Sequence, residues 1–442
     1  MSFFQLCQQK TNWSEIVSVP VFMPGAATRR LIRGLGTGAL LLLTLPKPTM
    51  FAASSMVRES QPSGPIFRIA DSKTSFSIPF ELVDNRIFIN VKLNGKGPFR
   101  FILDSGGYAQ ISLELAREVN LPLGKEGQGV GAGQNVMVAR ETKIAEMQIG
   151  ALYLTNLNLG AYSYADARHV FGSKRFHGVI GLPVFQHLVV KVDYERQRLA
   201  FKVPSHFRYD GAGVVVPFEL DRYAPIVTGA IDGIPARLTV DTGSRSSLLL
   251  RNPFIESHNL RTKYVPQVEA ITGWGGGGSI RSQVTRTKLL RLGAVEFHNV
   301  VTFFSLQRAG LLATADDNAG LVGGSILKRF NITFDYSRKQ LIFEKNHYHK
   351  PDTFDRAGMW LSQSADGKSF EIFDVVAGGP AANAGLKVGE KILVIDGRRI
   401  EQLVLPTVRE RLKSLPPNHR LRLLVRSGDN QRQVVVVLKE LV

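Results

Sequence analysis

Two aspartates in matching frames are the residues of this chain best suited to chemistry. One frame reads Phe101-Ile102-Leu103-Asp104-Ser105-Gly106 and the other Leu238-Thr239-Val240-Asp241-Thr242-Gly243. Each is an apolar strand ending in Asp, then a small hydroxyl residue, then Gly. One such Asp is ordinarily a turn former; two suggest a paired-carboxylate site built by duplication. Two carboxyls a few ångströms apart cannot both ionise cheaply, so they share a proton and titrate as a coupled pair. The ionised member can take a proton from a water attacking a peptide carbonyl, while the protonated member hydrogen-bonds the carbonyl oxygen. That chemistry needs no covalent intermediate, metal or cofactor. Gly106 and Gly243 permit the tight turn that aims both carboxylates at one cleft.

The elements that must position the two aspartates are themselves repeated. Ile78-Pro79-Phe80-Glu81-Leu82 returns as Val216-Pro217-Phe218-Glu219-Leu220, and Gly178-Val179-Ile180-Gly181 as Gly320-Leu321-Val322-Gly323. Val192-Asp193-Tyr194 returns as Phe334-Asp335-Tyr336. From Asp104 to Gly181 is 77 residues and from Asp241 to Gly323 is 82. The difference places a small insertion in copy two, and the glycine run Gly273-Trp274-Gly275-Gly276-Gly277-Gly278 is the expected place. A repeat this long suits a duplicated lobe rather than a solenoid. Before each Asp, two apolar runs flank a turn, Asn94-Gly95-Lys96-Gly97-Pro98 in copy one and Asp232-Gly233 in copy two, which predicts hairpins. A short helix is expected from Leu113 to Val119. The rest of both copies is strand-rich, so the class is mainly β.

The chain of 442 residues has room for two or three domains. Its 55 Lys and Arg against 37 Asp and Glu give a net charge of +18. The basic residues are dispersed and carry no interleaved aromatics, which argues for a basic surface and against nucleic-acid binding. Cys7 is the single cysteine, so neither an intramolecular disulfide nor a cysteine metal cluster is available. Arg29, Arg30 and Arg33, the uncharged stretch Gly34 to Leu45, and Phe51-Ala52-Ala53 read as an export signal with a cleavage site. The expected location is periplasmic or extracellular, with membrane association only if the signal stays uncleaved. Residues 1–53 are therefore extension and signal, and 54–75, rich in Ser, Pro and charge, read as a linker.

The polar, proline-bearing stretch 347–354, which includes His347-Tyr348-His349, reads as a second linker. Its His-x-His has no carboxylate or third histidine within ligand spacing. Residues 355–442 then form a third unit. Gly379-Pro380-Ala381-Ala382-Asn383-Ala384-Gly385-Leu386-Lys387-Val388-Gly389-Glu390 precedes an apolar strand, Asp396-Gly397 turns, a helix is expected at about Pro406 to Ser414, and two strands follow. This segment resembles a PDZ domain. The resemblance puts Gly358, Met359, Trp360 and Leu361 at the carboxylate-binding loop and implies a C-terminal peptide ligand that adds as an edge strand. Trp360 stands where that family usually has Gly. The unit reads as self-contained, and its loss is expected to leave the rest folded.

Residues 64–346 resemble the aspartic peptidases of the pepsin and retropepsin type. The resemblance rests on Asp104-Ser105-Gly106 and Asp241-Thr242-Gly243, and on Val179-Ile180-Gly181 and Leu321-Val322-Gly323, which in that family thread behind the active-site loops. It implies two pseudo-symmetric β lobes, at 76–205 and 206–346, followed by the small α+β PDZ-like domain at 355–442. It makes Asp104 and Asp241 the catalytic pair, with Ser105 and Thr242 hydrogen-bonding across the axis and Ser244, opposite Gly107, as a hydroxyl partner for Asp241. Glycine-rich segments at 127–134 (Gly131, Gly133) and 273–278 (Gly273, Trp274) fit flaps closing over the cleft. A phosphate loop at Gly275–Gly278 is disfavoured, because no Lys-Ser/Thr follows. No Gly-x-Ser-x-Gly elbow supports Ser244 or Ser246 as a nucleophile. His177 and His187 do not recur in copy two and read as core or surface histidines; Trp274 either contacts substrate or packs its hairpin. The expected function is an exported aspartic endopeptidase acting on polypeptides without metal or cofactor, its PDZ-like domain assisting recognition. The alternative is a catalytically silent peptide-binding scaffold that keeps the bilobal fold.

Overall fold

The computed structural model describes residues 66–265, 268–348 and 350–442. The two hairpins that deliver the aspartates are built alike. Strands Arg86–Leu93 and Lys96–Leu103 are joined by Asn94 and Gly95, at φ 50° and 78°. Strands Ala224–Ile231 and Ile234–Asp241 are joined by Asp232 and Gly233, at φ 47° and 87°. Asn-Gly and Asp-Gly tolerate positive φ at both central positions, and that twist matches the twist of the paired strands. The copy-one turn is therefore tighter than the run to Pro98 suggested. Alternation does the rest: Ile87, Ile89, Val91 and Leu93 are all buried in the core.

Each copy then wraps a sheet around its carboxylate strand. In lobe one, Gly178–Ile180 lies parallel to Lys96–Leu103 and antiparallel to Ala109–Ser112. In lobe two, Asn318–Gly323 lies parallel to Ile234–Asp241 and antiparallel to Leu248–Leu250. A third sheet joins the lobes at their base. Its central pair is Val189–Asp193 from copy one against Phe330–Asp335 from copy two, with Val190 opposite Phe334. One hydrophobic core runs continuously through both lobes, from Ile87 and Phe101 to Leu238 and Phe343.

The expected linker at 54–75 requires correction for its described part. Ile66–Ile69 is a strand paired with Leu152–Tyr162, a 3₁₀ turn follows at Ala70–Ser72, and Ser75–Pro79 pairs with Arg198–Lys202. Ile-Phe-Arg-Ile alternates well enough to serve as an edge strand, and Phe67 stacks on His187 at 4.5 Å. The residues read as an export signal, and Cys7, lie outside the described residues. The insertion is also elsewhere than expected: helix Asn252–Ser257 matches Leu113–Glu118 of copy one, and the extra chain lies between it and the hairpin, where it forms helix Leu260–Lys263.

The stretch at 347–354 is not a solvated linker either. Asp352 is buried, its carboxylate accepting from Ser247 Oγ (2.8 Å), Ser325 Oγ (3.2 Å) and the Val301 N–H (2.8 Å). Buried Phe354 packs beside Phe303. His347 pairs with Glu195, and His349 lies outside the described residues. The C-terminal module has its own core and a six-stranded sheet edged by Met359–Gln363, with helix Leu405–Ser414 alongside. It is docked rather than free. Phe354, Val376, Leu441 and Val442 close a hydrophobic cluster with Leu249, Ala270, Ile280 and Phe303 of lobe two. Removing 355–442 would expose that apolar surface.

Candidate active site

Asp104 and Asp241 emerge from their strands into two loops that grip each other. Ser105 Oγ donates to Val240 O (2.7 Å) and accepts from the Thr242 N–H (3.1 Å). Thr242 Oγ1 donates to Leu103 O (2.8 Å) and accepts from the Ser105 N–H (3.0 Å). Both hydroxyls are fully buried. Each therefore holds one donor and one acceptor of the opposite loop, the reciprocal contact expected from the sequence. Thr242→Val keeps the shape but strands the Ser105 N–H and the Leu103 carbonyl. The expected cost is about 1–3 kcal/mol in denaturant unfolding, with Thr242→Ser recovering most of it; equal stability of Val and Ser variants would refute the grip.

The apolar-apolar-Gly landmarks lock each loop from behind. The Gly181 N–H donates to Tyr108 O at 2.7 Å and the Gly323 N–H to Ser247 O at 2.9 Å. A Cβ on Gly181 would sit 2.1 Å from Asp104 O, and one on Gly323 would sit 2.5 Å from Ser246 O. Only glycine admits this approach.

The two carboxyls are half-buried and face one another across the gripped loops. Each also lies against the other loop's glycine, since a Cβ on Gly243 would fall 2.3 Å from Asp104 Cγ and one on Gly106 2.9 Å from Asp241 Cγ. Asp104 accepts from the Gly106 N–H at 2.8 Å, and Asp241 from the N–H groups of Gly243 (2.8 Å) and Ser244 (3.0 Å). Burial raises both carboxyls above the ordinary range, and the charge of Asp104 raises Asp241 further. Two carboxyls this close share one proton. Ser244 departs from expectation: its hydroxyl bonds Ser246 Oγ (2.8 Å), and only its backbone reaches Asp241.

A charged network behind the loops escaped the sequence reading. Asp84, Asn85 and Arg86 form the turn entering strand Arg86–Leu93. Arg86 Nε donates to Gly243 O at 2.8 Å and its Nη1 to Asp84 at 2.7 Å. Arg245 Nε donates to Asp84 at 2.8 Å, and Asn85 Nδ2 to Arg245 O at 2.9 Å. Lys328 donates to Asn85 Oδ1 at 2.7 Å. Tyr336 OH reaches Ser105 O at 3.2 Å. One signal was present: Arg245 directly follows Asp241-Thr242-Gly243-Ser244, and its equivalent in copy one is Tyr108. Nothing local to the sequence pairs it with Asp84.

The two glycine-rich hairpins meet at their tips. The first is Leu123–Gly129 with Met137–Ile149, the second Val268–Gly275 with Gly278–Leu292. The Gly133 N–H donates to Gly276 O (2.8 Å), the Asn135 N–H to Gly277 O (3.0 Å), and the Leu311 N–H to Gly131 O (2.9 Å). A Cβ on Gly131 or Gly133 would fall 2.3 or 2.2 Å from the opposite tip. Gly273 lies within the second hairpin's first strand. Trp274 packs its ring on His169 of lobe one (4.4 Å, stacked) and Phe373 of the C-terminal module (5.3 Å, edge-on). His177 Nδ1 accepts from the Arg100 N–H, a structural role.

The loop at Gly358–Leu361 is corrected as an open carboxylate site. The chain's own Asp355 fills it, Oδ1 accepting from the N–H groups of Ala357 (2.9 Å), Gly358 (2.6 Å) and Met359 (3.4 Å). Met359, Trp360 and Leu361 are buried. Trp360 lies between the guanidinium groups of Arg409 (4.0 Å) and Arg245 (5.3 Å), so the residue that replaces the family's glycine docks the module onto the Asp241 loop.

Segments of the chain match known families. Residues 89–184 match the family model described as aspartyl protease, and residues 371–427 match that of the PDZ domain. Among solved structures the chain is similar to the aspartic proteinase from Irpex lacteus, at 12% identity and a TM-score of 0.40, covering 62% of this chain and 98% of that one. No curated protein matches it. The chain is thus mainly β, with one segment that matches an aspartyl-protease model and a C-terminal segment that matches a PDZ-domain model.

Proposed function

We propose that this protein is an aspartic-type endopeptidase in which Asp104 and Asp241 act as a general acid/base pair. The observation that carries this reading is the facing carboxyl pair, each carboxyl against the other loop's glycine and both loops held by the Ser105–Thr242 grip. In the singly protonated pair, the ionised carboxylate takes a proton from a water as its oxygen bonds to the scissile carbonyl carbon. The protonated carboxyl donates to the carbonyl oxygen as charge builds there. Collapse of the tetrahedral intermediate breaks the C–N bond, and the acquired proton passes to the leaving amine.

The export reading of residues 29–53 belongs to the same proposal and places the substrate outside the cytoplasm. Cleavage of an unstructured polypeptide is expected to withstand chelators and serine- or cysteine-directed reagents, because neither a bound metal nor a nucleophilic side chain takes part. Its rate should fall on both sides of a single maximum: as pH rises the shared proton is lost, and as pH falls the remaining carboxylate is protonated. Because burial raises both carboxyls, the alkaline limb lies well above the ordinary carboxylate range. Full inhibition by a chelator with recovery on adding metal would overturn the assignment, as would an activity that rises steadily to alkaline pH.

A further inference from the structure

The edge strand Met359–Gln363 and helix Leu405–Ser414 border the groove in which such a module would receive an extended peptide. That groove is already in use. The short helix Arg168–Phe171 of lobe one packs against both elements. Arg409 donates to the carbonyls of Val170 (2.8 Å), His169 and Leu361 (2.6 Å). His169 Nδ1 meets Ser362 Oγ at 2.6 Å. With Asp355 on the loop N–H groups, strand edge, helix and loop are all engaged by the chain itself.

The next strand of the module grips the second hairpin. Asp374 Oδ2 accepts from the Ile271 N–H (2.7 Å) and Oδ1 from Arg281 Nη2 (2.6 Å). Ile271 and Arg281 are cross-strand partners in that hairpin, so one buried carboxylate clasps both of its strands. Phe373 lies edge-on to Trp274, near the hairpin tip, and Trp274 stacks on His169. One ring from each lobe and one from the module thus meet at a single junction. Beyond it, the tips are bonded to each other by their main chains. The lobes are therefore joined at the base by a sheet, at the centre by the carboxylate loops, and at the hairpin tips. A long polypeptide can lie between the lobes only if the tips part.

We infer that the PDZ-like module is an internal latch on the second flap: Asp374 and Phe373 hold the Val268–Leu292 hairpin closed, and helix Arg168–Phe171 in the groove keeps the module in place. The gating consequence rests on the peptidase reading; the latch itself does not. Hydrogen exchange on the full-length chain tests it without reference to activity. Asp374→Ala and, separately, Arg281→Met should speed exchange in the hairpin, by about tenfold or more at Ile271. Protection of Arg420–Ser427 should stay unchanged, reporting an intact module. Cleavage of a long unstructured polypeptide should then rise several-fold in kcat/KM, and that of a short peptide less. Should Asp374→Ala disturb Arg420–Ser427, Arg281→Met alone decides. Unchanged hairpin protection overturns the latch. A loosened hairpin with unchanged kcat/KM on the long substrate overturns the gate. If wild type and variants cleave nothing, the peptidase reading fails and exchange alone judges the latch.

Discussion

Asp241→Asn, and separately Asp104→Asn, should lower cleavage of an unstructured polypeptide by about a thousandfold or more, the scale of a lost general acid/base group. An amide can neither accept the water's proton nor share one across the pair. The same variants should be more stable than wild type near neutral pH, and the sign follows from linkage. Both carboxyls are raised by burial in the folded state. A raised group adds stability below its unfolded value, near 4, and loses it as pH rises through the folded value. At neutral pH the wild-type fold therefore bears a partly desolvated charge that the Asn variant lacks. Its unfolding temperature should exceed that of wild type there, and the advantage should shrink below about pH 4. Turnover close to wild type in either purified variant would remove Asp104 and Asp241 from the chemistry. Loss of turnover accompanied by lower stability at neutral pH would point to a disturbed fold instead.

Asp84→Ala should destabilise the protein by about 3–5 kcal/mol, the range for stranding one side of a buried ion pair. Asp84 is the anion facing Arg86 and Arg245, all three being almost inaccessible to solvent. Arg409 and Lys413 of the module lie near enough to act on it as well. Burial alone would raise its carboxyl; the surrounding cations, Arg245 first, overcome that and hold it at about 2. A lowered carboxyl contributes stability above its unfolded value and loses it as pH falls through the folded one. By that linkage roughly 2–3 kcal/mol should disappear between about pH 4 and pH 2 in wild type and not in Asp84→Ala. Activity should fall too, since Arg86 holds Gly243 O and Asn85 holds Arg245 O at the Asp241 loop. Denaturant unfolding at neutral and acid pH measures both effects. A change within about 0.5 kcal/mol, typical of an exposed pair, would show that the network is not the tie between the lobes that its geometry implies.

The sequence by itself determined what is local or repeated. The turns at Asn94-Gly95 and Asp232-Gly233 follow from residue types that accept positive φ, and alternating apolar residues make the flanking strands. The reading of two β lobes came from repetition: Asp104-Ser105-Gly106 and Asp241-Thr242-Gly243 recur in order with Gly181 and Gly323, and a duplicated lobe repeats its geometry with its motifs. Tertiary structure alone decided the rest, because it depends on groups brought together from distant points in the chain. Asp84 is an ordinary turn residue until Arg245 arrives from the other lobe. Residues 347–354 look like a polar linker until Asp352 finds Ser247, Ser325 and the Val301 N–H. Gly358 to Leu361 looks like an open carboxylate loop until Asp355 folds back onto it. Ser244 is placed beside Asp241, yet its hydroxyl turns to Ser246. In each case the residue's own chemistry allows several partners, and only packing selects one: a buried polar group must be satisfied by whatever neighbour the fold supplies.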